Sequence, residues 1–517
     1  MDGLNSVLGS IADVIWGTSL GTFGLDIPVL SALPLIAILL LGTGFYLTVR
    51  LRFMPIWAIP RGFAMLWRGR KTDGQDGEVT PFAALATALS STVGTGNIAG
   101  VATAIAIGGP GAIFWMWMTA LVGMATKYSE SLLAVRYREV DSDGTYKGGP
   151  MYYIKNGLGP KWGWLAVLFC VGALASSAGA GNMVQGNSIV ESVATAFSLG
   201  EESLEPFSAF RIIAGLLLAG AVFVIIIGGI KSIGSVASRL VPFMAVSYVL
   251  LAVLILVLNF EGVPGAFGAI FDGAFSGSSA VGGFTGAVIA EAIRMGVARG
   301  LFSNEAGQGS APIAHAAAQT KDPVQQATIA MLGTFIDTLV ICTMTALIIL
   351  SVRVDIPLAD GALAEFAWQT GGLLEASGIT TAAFEGGLAF GNYFIAIALF
   401  IFAFTTILGW SYYGERAIAY LAGERAVRPF RYAWCVVVFL GAVLPVQAVW
   451  TMGDIGNGLM ATPNLIAVIL LSGVVVSLSR GGGERKVRPY DASAHAAGLY
   501  SNPDDDDTPS DYSPVAP

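Results

Sequence analysis

Two runs of glycine and polar residues interrupt apolar stretches of this 517-residue chain: Gly94-Thr95-Gly96-Asn97-Ile98-Ala99-Gly100 and Phe302-Ser303-Asn304-Glu305-Ala306-Gly307-Gln308-Gly309-Ser310. The chemistry they offer is that of the backbone itself. Inside hydrocarbon every N–H and C=O must find a partner, so unwound chain survives only where it is buried in protein or lines a solute or ion cavity. Amino-terminal ends of half-helices favour a carboxylate, and carbonyl ends favour a cation. Together they could hold a zwitterion beside a metal cation. Paired interruptions in two halves of a membrane chain point to the binding site of a carrier.

Other ionisable groups at membrane depth are few. Asp337, within Gly333-Thr334-Phe335-Ile336-Asp337-Thr338-Leu339, is costly enough there to be a functional candidate, with a plain buried hydrogen bond as the alternative. Glu291 and Arg294 stand three apart, as do Lys127 and Glu130, a spacing that favours structural pairs on one helix face. Glu305 is expected to bond the unwound amides around it. The groups of soluble enzymes are missing: the chain has two histidines, His315 and His495, no Cys/His metal cluster and no Gly-x-Ser-x-Gly elbow. Gly94-x-Gly96-x-x-Ala99 fits the dinucleotide fingerprint, but it lies inside an apolar span without the preceding strand that motif requires. The chain is therefore not read as an enzyme, and nothing in it suggests nucleic acid as a partner.

The elements that must position the two breaks are spanning helices. With 55% hydrophobic and 12% charged residues the chain is far more apolar than a soluble domain, and it reads as all-α integral membrane protein. Apolar segments of about 20 residues or more lie at 30–49, 81–107, 112–135, 162–190, 207–229, 236–259, 283–317, 324–352, 385–411, 428–451 and 459–479. That makes eleven transmembrane helices. Basic loops then set the orientation. Arg50 to Lys71, Arg136 to Lys161, Lys231 with Arg239, Lys321, Arg416 to Arg431, and Arg480 to Arg488 alternate with acidic loops around Glu201, Glu261 and Asp355. An amino terminus outside and a carboxyl terminus inside the cytoplasm satisfies every loop. Residues 1–29 form an extracellular segment, with a mildly amphipathic stretch at 7–22 suited to the interface. The tail at 480–517, with Asp504-Asp505-Asp506 and several prolines, reads as a disordered cytoplasmic extension. Cys170, Cys342 and Cys435 fall in apolar runs and read as small buried hydrophobes.

With the helix at 30–49 set aside as an extra one, ten spans remain: a first set of five at 81–259 and a second at 283–479. Each set opens with one of the interrupted segments. An odd number per set inverts one half relative to the other across the membrane, so the two breaks would meet near the midplane.

Four motifs in order, Thr92-Val93-Gly94-Thr95-Gly96-Asn97-Ile98-Ala99-Gly100, Gly144-Thr145-Tyr146-Lys147-Gly148-Gly149-Pro150-Met151-Tyr152-Tyr153, Gly300-Leu301-Phe302-Ser303-Asn304-Glu305-Ala306-Gly307-Gln308-Gly309-Ser310-Ala311 and Gly409-Trp410-Ser411-Tyr412-Tyr413-Gly414-Glu415, resemble the signatures of the alanine/glycine:cation symporter family. The resemblance covers nearly the whole chain except its ends. It implies the leucine-transporter type of five-plus-five inverted repeat and Na⁺-coupled uptake of alanine or glycine at the cell membrane. Position by position, it implies that Thr95, Gly96 and Asn97 meet the amino acid or its cation, that Gln185 is a polar substrate contact, and that Phe302 and Trp410 close a small apolar pocket. A pocket walled by two aromatics would exclude larger amino acids by overlap. Broader similarity to sodium symporters of that fold aligns Val93 and Gly94 as carbonyl ligands of the cation and Thr405 and Thr406 as hydroxyl ligands opposite. Without the resemblance, both threonines have an ordinary reading as helix-backbone bonders. Na⁺ is then the coupling ion, with no organic cofactor. A proton-coupled carrier of another small zwitterion is the alternative, and a channel is less favoured because no charged ring or continuous polar stripe is evident.

Overall fold

The computed structural model describes residues 2–481, apart from 20, 24–32, 71–76, 141–143, 198, 276–284, 358–362, 371–373, 375 and 445, together with 490 and 491. The starts of the expected spans at 30 and 283, Lys71, Arg485, Lys486, Arg488, His495 and nearly all of the proposed disordered tail lie outside these residues. The regular elements of the described residues are helices apart from five two-residue strands. Glu139–Val140 pairs antiparallel with Tyr146–Lys147 and parallel with Tyr490–Asp491, while Ile356–Pro357 pairs with Leu363–Ala364.

Six helices among the described residues are long and apolar enough to cross a membrane: Pro160–Ala196, Ala209–Ile226, Gly229–Leu258, Pro323–Ser351, Gly391–Ala422 and Glu424–Val443. Val449–Leu470 and Ser472–Arg480 pass as a pair bent by 56° and make a seventh. The eleven expected spans are not reached on these criteria, and the reasons are local. Leu35–Arg50 has only 16 residues. Pro81–Thr92 and Ala99–Gly108 are separated by the first break. Gly111–Arg136 carries Lys127, Glu130 and Arg136, and Thr285–Asn304 carries Glu291, Arg294 and Arg299.

Gly111–Arg136 is the central helix, packing against Thr285–Asn304, Pro323–Thr334 and Leu35–Arg50. By contrast, Ala209–Ile226 and Gly229–Leu258 leave Leu217, Val224, Phe243 and Leu250 exposed, as a hydrocarbon-facing surface requires. The amino-terminal helix Asp2–Ala12 and the π-turn Asp13–Gly17 expose Val7, Ile11 and Val14, which suits the amphipathic character read there. The three cysteines are free, Cys170 and Cys342 buried and Cys435 partly so.

Two irregularities aim side chains at the centre. Gly179–Met183 and Phe335–Cys342 are π-helical segments inside otherwise α-helical spans. Such bulges rotate the residues that follow and recur at functional sites. Gln185 lies just beyond the first, and Asp337 lies within the second.

Candidate functional site

At the first break the helix stops at Thr92, makes one 3₁₀ turn over Thr95–Asn97 and resumes at Ala99. Side chains replace the lost helical partners. Asn97 Oδ1 accepts from the Gly94 N–H at 2.9 Å, and Gln185 Oε1 accepts from the Thr95 N–H at 3.2 Å. The Gln185 amide is fixed in turn by donating to the Ala180 carbonyl at 2.9 Å. At the second break, Glu305, Gly307 and Gly309 adopt φ of 56°, 92° and 82°, and left-handed backbone of this kind cannot continue a helix. Asn304 Oδ1 accepts from the Ala306 N–H at 2.9 Å, and Gln308 Nε2 donates to Ser176 Oγ at 3.0 Å.

The breaks meet. A cavity of ≈ 10 Å³, about the room of one water, is lined by Gly94 and Gly96 from the first break, Phe302 at the edge of the second, and Gln185, Trp410 and Asn457 from flanking helices. Two glycines are demanded by contact rather than by dihedral angle. A Cβ on Gly181 would sit 2.2 Å from Trp410 Cγ, so this helix must be bare for the indole to reach the cavity. A Cβ on Gly94 would sit 2.5 Å from Thr406 Oγ1.

That second contact locates the candidate cation ligands. Thr406 Oγ1 lies 3.3 Å from the Val93 carbonyl oxygen, so Val93, Gly94 and Thr406 share one spot. Both hydroxyls bond their own helix, Thr406 the Phe402 carbonyl at 2.9 Å and Thr405 the Ile401 and Phe402 carbonyls at 2.9 and 3.0 Å, but Thr405 faces Met244 instead of the first break. Thr95 presents its N–H to Gln185, while its own buried hydroxyl has no partner among the described residues. The Asn97 amide points away from the cavity, donating to Asp337 Oδ1 at 2.7 Å. Asp337 also accepts from Ser303 Oγ at 2.7 Å and from Thr338 Oγ1 at 2.8 Å. One buried carboxylate therefore clasps both breaks, Asn97 from the first and Ser303 from the second.

The sodium:alanine symporter family model matches residues 26–486. The chain belongs to that family. The family is one of cation-coupled amino-acid transporters and not of enzymes, and this is a multi-pass membrane member of it. Among its relatives, a sodium/alanine symporter, AgcS, of Methanococcus maripaludis is 46% identical over 454 residues, 87% of this chain and 94% of the relative. An uncharacterized transporter of Haemophilus influenzae is 45% identical, covering 94% of this chain and 98% of its own. A probable sodium/glutamine symporter, GlnT, of Bacillus subtilis is 38% identical over 91% of this chain and 89% of its own. The crystal structure of MhsT in complex with L-phenylalanine superposes with a TM-score of 0.53 at 15% identity, covering 77% of this chain and 90% of that one. The transporter therefore shares the MhsT fold.

Several residues of the transporter's cavity region escaped sequence reasoning. Phe302 stacks on Trp450 with centroids 5.2 Å apart and planes 25° apart. Arg299 lies 5.2 Å from the Trp450 ring and 3.4 Å from Asp454. Trp450 and Arg299 line a wider cavity of ≈ 360 Å³, so the aromatic stack stands between it and the small one. On the opposite wall Trp410 packs edge-on to Tyr413 at 5.5 Å, and Tyr413 bonds Ser91 at 2.7 Å. Further along the same helix, Tyr412, Glu415 and Arg416 line a third cavity of ≈ 520 Å³. The signal that could have found Asn457 was the run Gly453-Asp454-Ile455-Gly456-Asn457-Gly458, a glycine and polar pattern in an apolar span. Gly456 allows the close approach, since a Cβ there would meet Ser176 N at 2.4 Å.

Proposed function

We propose that the protein imports alanine or glycine together with Na⁺ by alternating access between the two wider cavities. The observation that carries this reading is the convergence of both breaks, Gln185, Phe302 and Trp410 on one small cavity, with the Val93 carbonyl and the Thr406 hydroxyl alongside. The Thr95 N–H, released from Gln185 Oε1, takes the substrate's carboxylate with Gln185 as a polar contact beside it, and the two aromatics close on a methyl group or a hydrogen. A cavity this small selects by overlap: each added methylene in an apolar pocket changes binding by about 1–3 kcal/mol. Neutral carbonyl and hydroxyl oxygens are suitable ligands for Na⁺, which is hard and monovalent. Thr95, Gly96 and Asn97 belong to this site as the backbone scaffold of the first break; Thr405, whose hydroxyl bonds its own helix, is left out of the cation ligands. The reading keeps eleven spans, the five-plus-five inverted repeat at 81–259 and 283–479, an amino terminus outside and a carboxyl terminus in the cytoplasm.

The test is uptake of labelled alanine into proteoliposomes under an inward Na⁺ gradient, repeated with choline at matched pH and voltage. Concentrative uptake only with Na⁺ supports the reading. Uptake indifferent to Na⁺ removes the cation assignment. Absence of alanine uptake in protein that carries glutamine removes the substrate assignment.

A further inference from the structure

The cavity of ≈ 520 Å³ lies where four helices come together: the end of Ala209–Ile226, the start of Gly229–Leu258, the last third of Gly391–Ala422 and the start of Val427–Val443. Its charged wall is unevenly engaged. Glu415 accepts from Arg416 Nη2 at 3.0 Å and from Arg431 Nε at 2.6 Å, and Glu424 pairs with Lys147 at 2.9 Å and with Arg416 at 3.3 Å. Glu78 Oε1 accepts from the Tyr146 N–H at 2.9 Å. Arg431 also donates to the Ile227 carbonyl at 2.8 Å and so caps the end of Ala209–Ile226. Each carboxylate of the wall therefore has a partner, whereas three cationic donors do not. Lys231 and Arg428 are exposed and make no ion pair or hydrogen bond among the described residues. Arg416 is 5% exposed, and its Nε has no hydrogen-bond partner among the described residues.

The other wall is apolar and reaches the outer surface of the protein. Phe223, Ile227 and Tyr432 line the cavity, with the Phe223 and Tyr432 rings stacked at 5.7 Å, yet Ile227 is 56% exposed and Tyr432 49%. Exposed apolar side chains continue from there along both helices, Val224 on one and Val436 on the other, and the two helices pack against each other. The mouth of the cavity thus opens onto a hydrocarbon-facing stripe, on the side that the basic loops mark as cytoplasmic. With Lys147 beside Glu424, five cations face three carboxylates here among the described residues, so the wall favours an anion. A buried guanidinium donor without a partner is costly until a ligand completes it. The planar fork of arginine matches the oxygens of a phosphate, and a basic pocket between spans on the cytoplasmic side is suited to an anionic headgroup. A soluble anion would use the charged wall alone; a phospholipid uses both.

We propose that this cavity binds the phosphate headgroup of an anionic phospholipid, with Arg416 Nε, Arg428 and Lys231 as donors and the acyl chains laid along Val224, Ile227, Tyr432 and Val436. The site occupies the bilayer flank of a cavity that the transport reading opens to one side of the membrane, but it needs neither the alanine nor the Na⁺ assignment, and failure of either leaves it standing. The experiment is native mass spectrometry of the full chain in detergent, titrated in turn with phosphatidylglycerol, with phosphatidylcholine of the same acyl chains and with glycerol phosphate, which has none. One phosphatidylglycerol should be held about tenfold or more tighter than phosphatidylcholine, and Arg428→Gln and Lys231→Gln should each weaken it by about fivefold. Neither side chain makes a contact that folding could lose. Arg425→Gln removes the same charge from an exposed position off the cavity and should weaken retention by less than about twofold. Equal retention of the two lipids overturns the proposal, because the groove is then merely apolar. An equal loss in Arg425→Gln overturns it as well, because the attraction is then that of the basic surface as a whole. Glycerol phosphate held as tightly as phosphatidylglycerol gives the site to a soluble anion and overturns the lipid as its occupant.

Discussion

Replacing Gly94 by alanine places a methyl carbon 2.5 Å from Thr406 Oγ1, 3.0 Å from Gln185 Oε1 and 3.4 Å from Thr406 Cβ. With φ at −144° the residue lies outside the left-handed region that favours glycine. The obstacle is overlap. Thr406 Oγ1 is a short branched-chain atom on a packed helix, and to reach ordinary contact it must rotate or the helix must shift by several tenths of an ångström. Rotation takes the hydroxyl off the Val93 carbonyl, now 3.3 Å away, and so dismantles the proposed cation ligand pair. Overpacking of a well-filled interior costs about 1–3 kcal/mol. If the loss falls on the cation-bound state, half-saturation by Na⁺ rises by about 5- to 150-fold. The assay is alanine uptake against external Na⁺ at saturating alanine, with surface expression as control. A cycle with Thr406→Ala sharpens it, because that variant removes the clashing oxygen together with the ligand. The double variant keeps only the lesser contact with Gln185 Oε1, so its loss should be well below the sum of the two single losses, a departure from additivity of the kind expected for residues in contact. Na⁺ half-saturation within twofold of wild type in Gly94→Ala, or plain additivity in the cycle, would refute the placement of the cation at Val93 and Thr406.

Trp410→Leu should extend uptake to amino acids larger than alanine, because the indole wall closest to Gly181 is removed; an unchanged substrate profile would leave Trp410 only a structural part. Trp450→Ala removes the stack on Phe302, and aromatic pairs contribute about 0.5–1.5 kcal/mol beyond burial. Alanine affinity should weaken by about 2- to 10-fold with little change in Na⁺ dependence, measured by equilibrium binding of labelled alanine. Asn97→Ala orphans the Gly94 N–H and withdraws a donor from Asp337, at about 1–3 kcal/mol for each buried group left unpaired. It should abolish flux while leaving membrane insertion intact, and normal uptake at normal expression would remove Asn97 from the site.

How much of this was legible in the sequence follows from where the information resides. The two breaks were visible because glycine and polar side chains inside apolar runs violate the rule that governs every other residue there, and both fall where read. Glu291 and Arg294 form the expected pair at 2.6 Å. Lys127 and Glu130 have the same spacing but do not pair. The difference is the environment: the former pair is partly solvated and free to close, whereas the latter is pinned by Asn464 and the second break. Glu305 was expected to bond the unwound amides, and its side chain instead takes the Ser310 hydroxyl. For Asp337 spacing gave no hint of the partners, since Asn97 and Ser303 stand 240 and 34 positions away. Trp450 and Ser91 enter through tertiary packing, which no local pattern encodes.

That packing suggests why substrate and cation would be bound together rather than separately. The Val93–Gly94 segment presents its carbonyl side to Thr406, and the Gly94 N–H is held by Asn97. Asn97 holds Asp337, and Asp337 holds Ser303, next to the Phe302 ring that walls the cavity. Every link is a buried polar contact whose rupture leaves an unsatisfied group, so the segment cannot reorganise at one end without a cost at the other. A cation that tightens the Val93 carbonyl against Thr406 thus favours the geometry in which Ser303 and Phe302 are set for the amino acid. By reciprocity, an amino acid that sets Phe302 strengthens the cation site by the same factor. Coupling of this kind needs no shared atom between the two ligands, only a clasp that both breaks must satisfy at once, and Asp337 is placed to be that clasp.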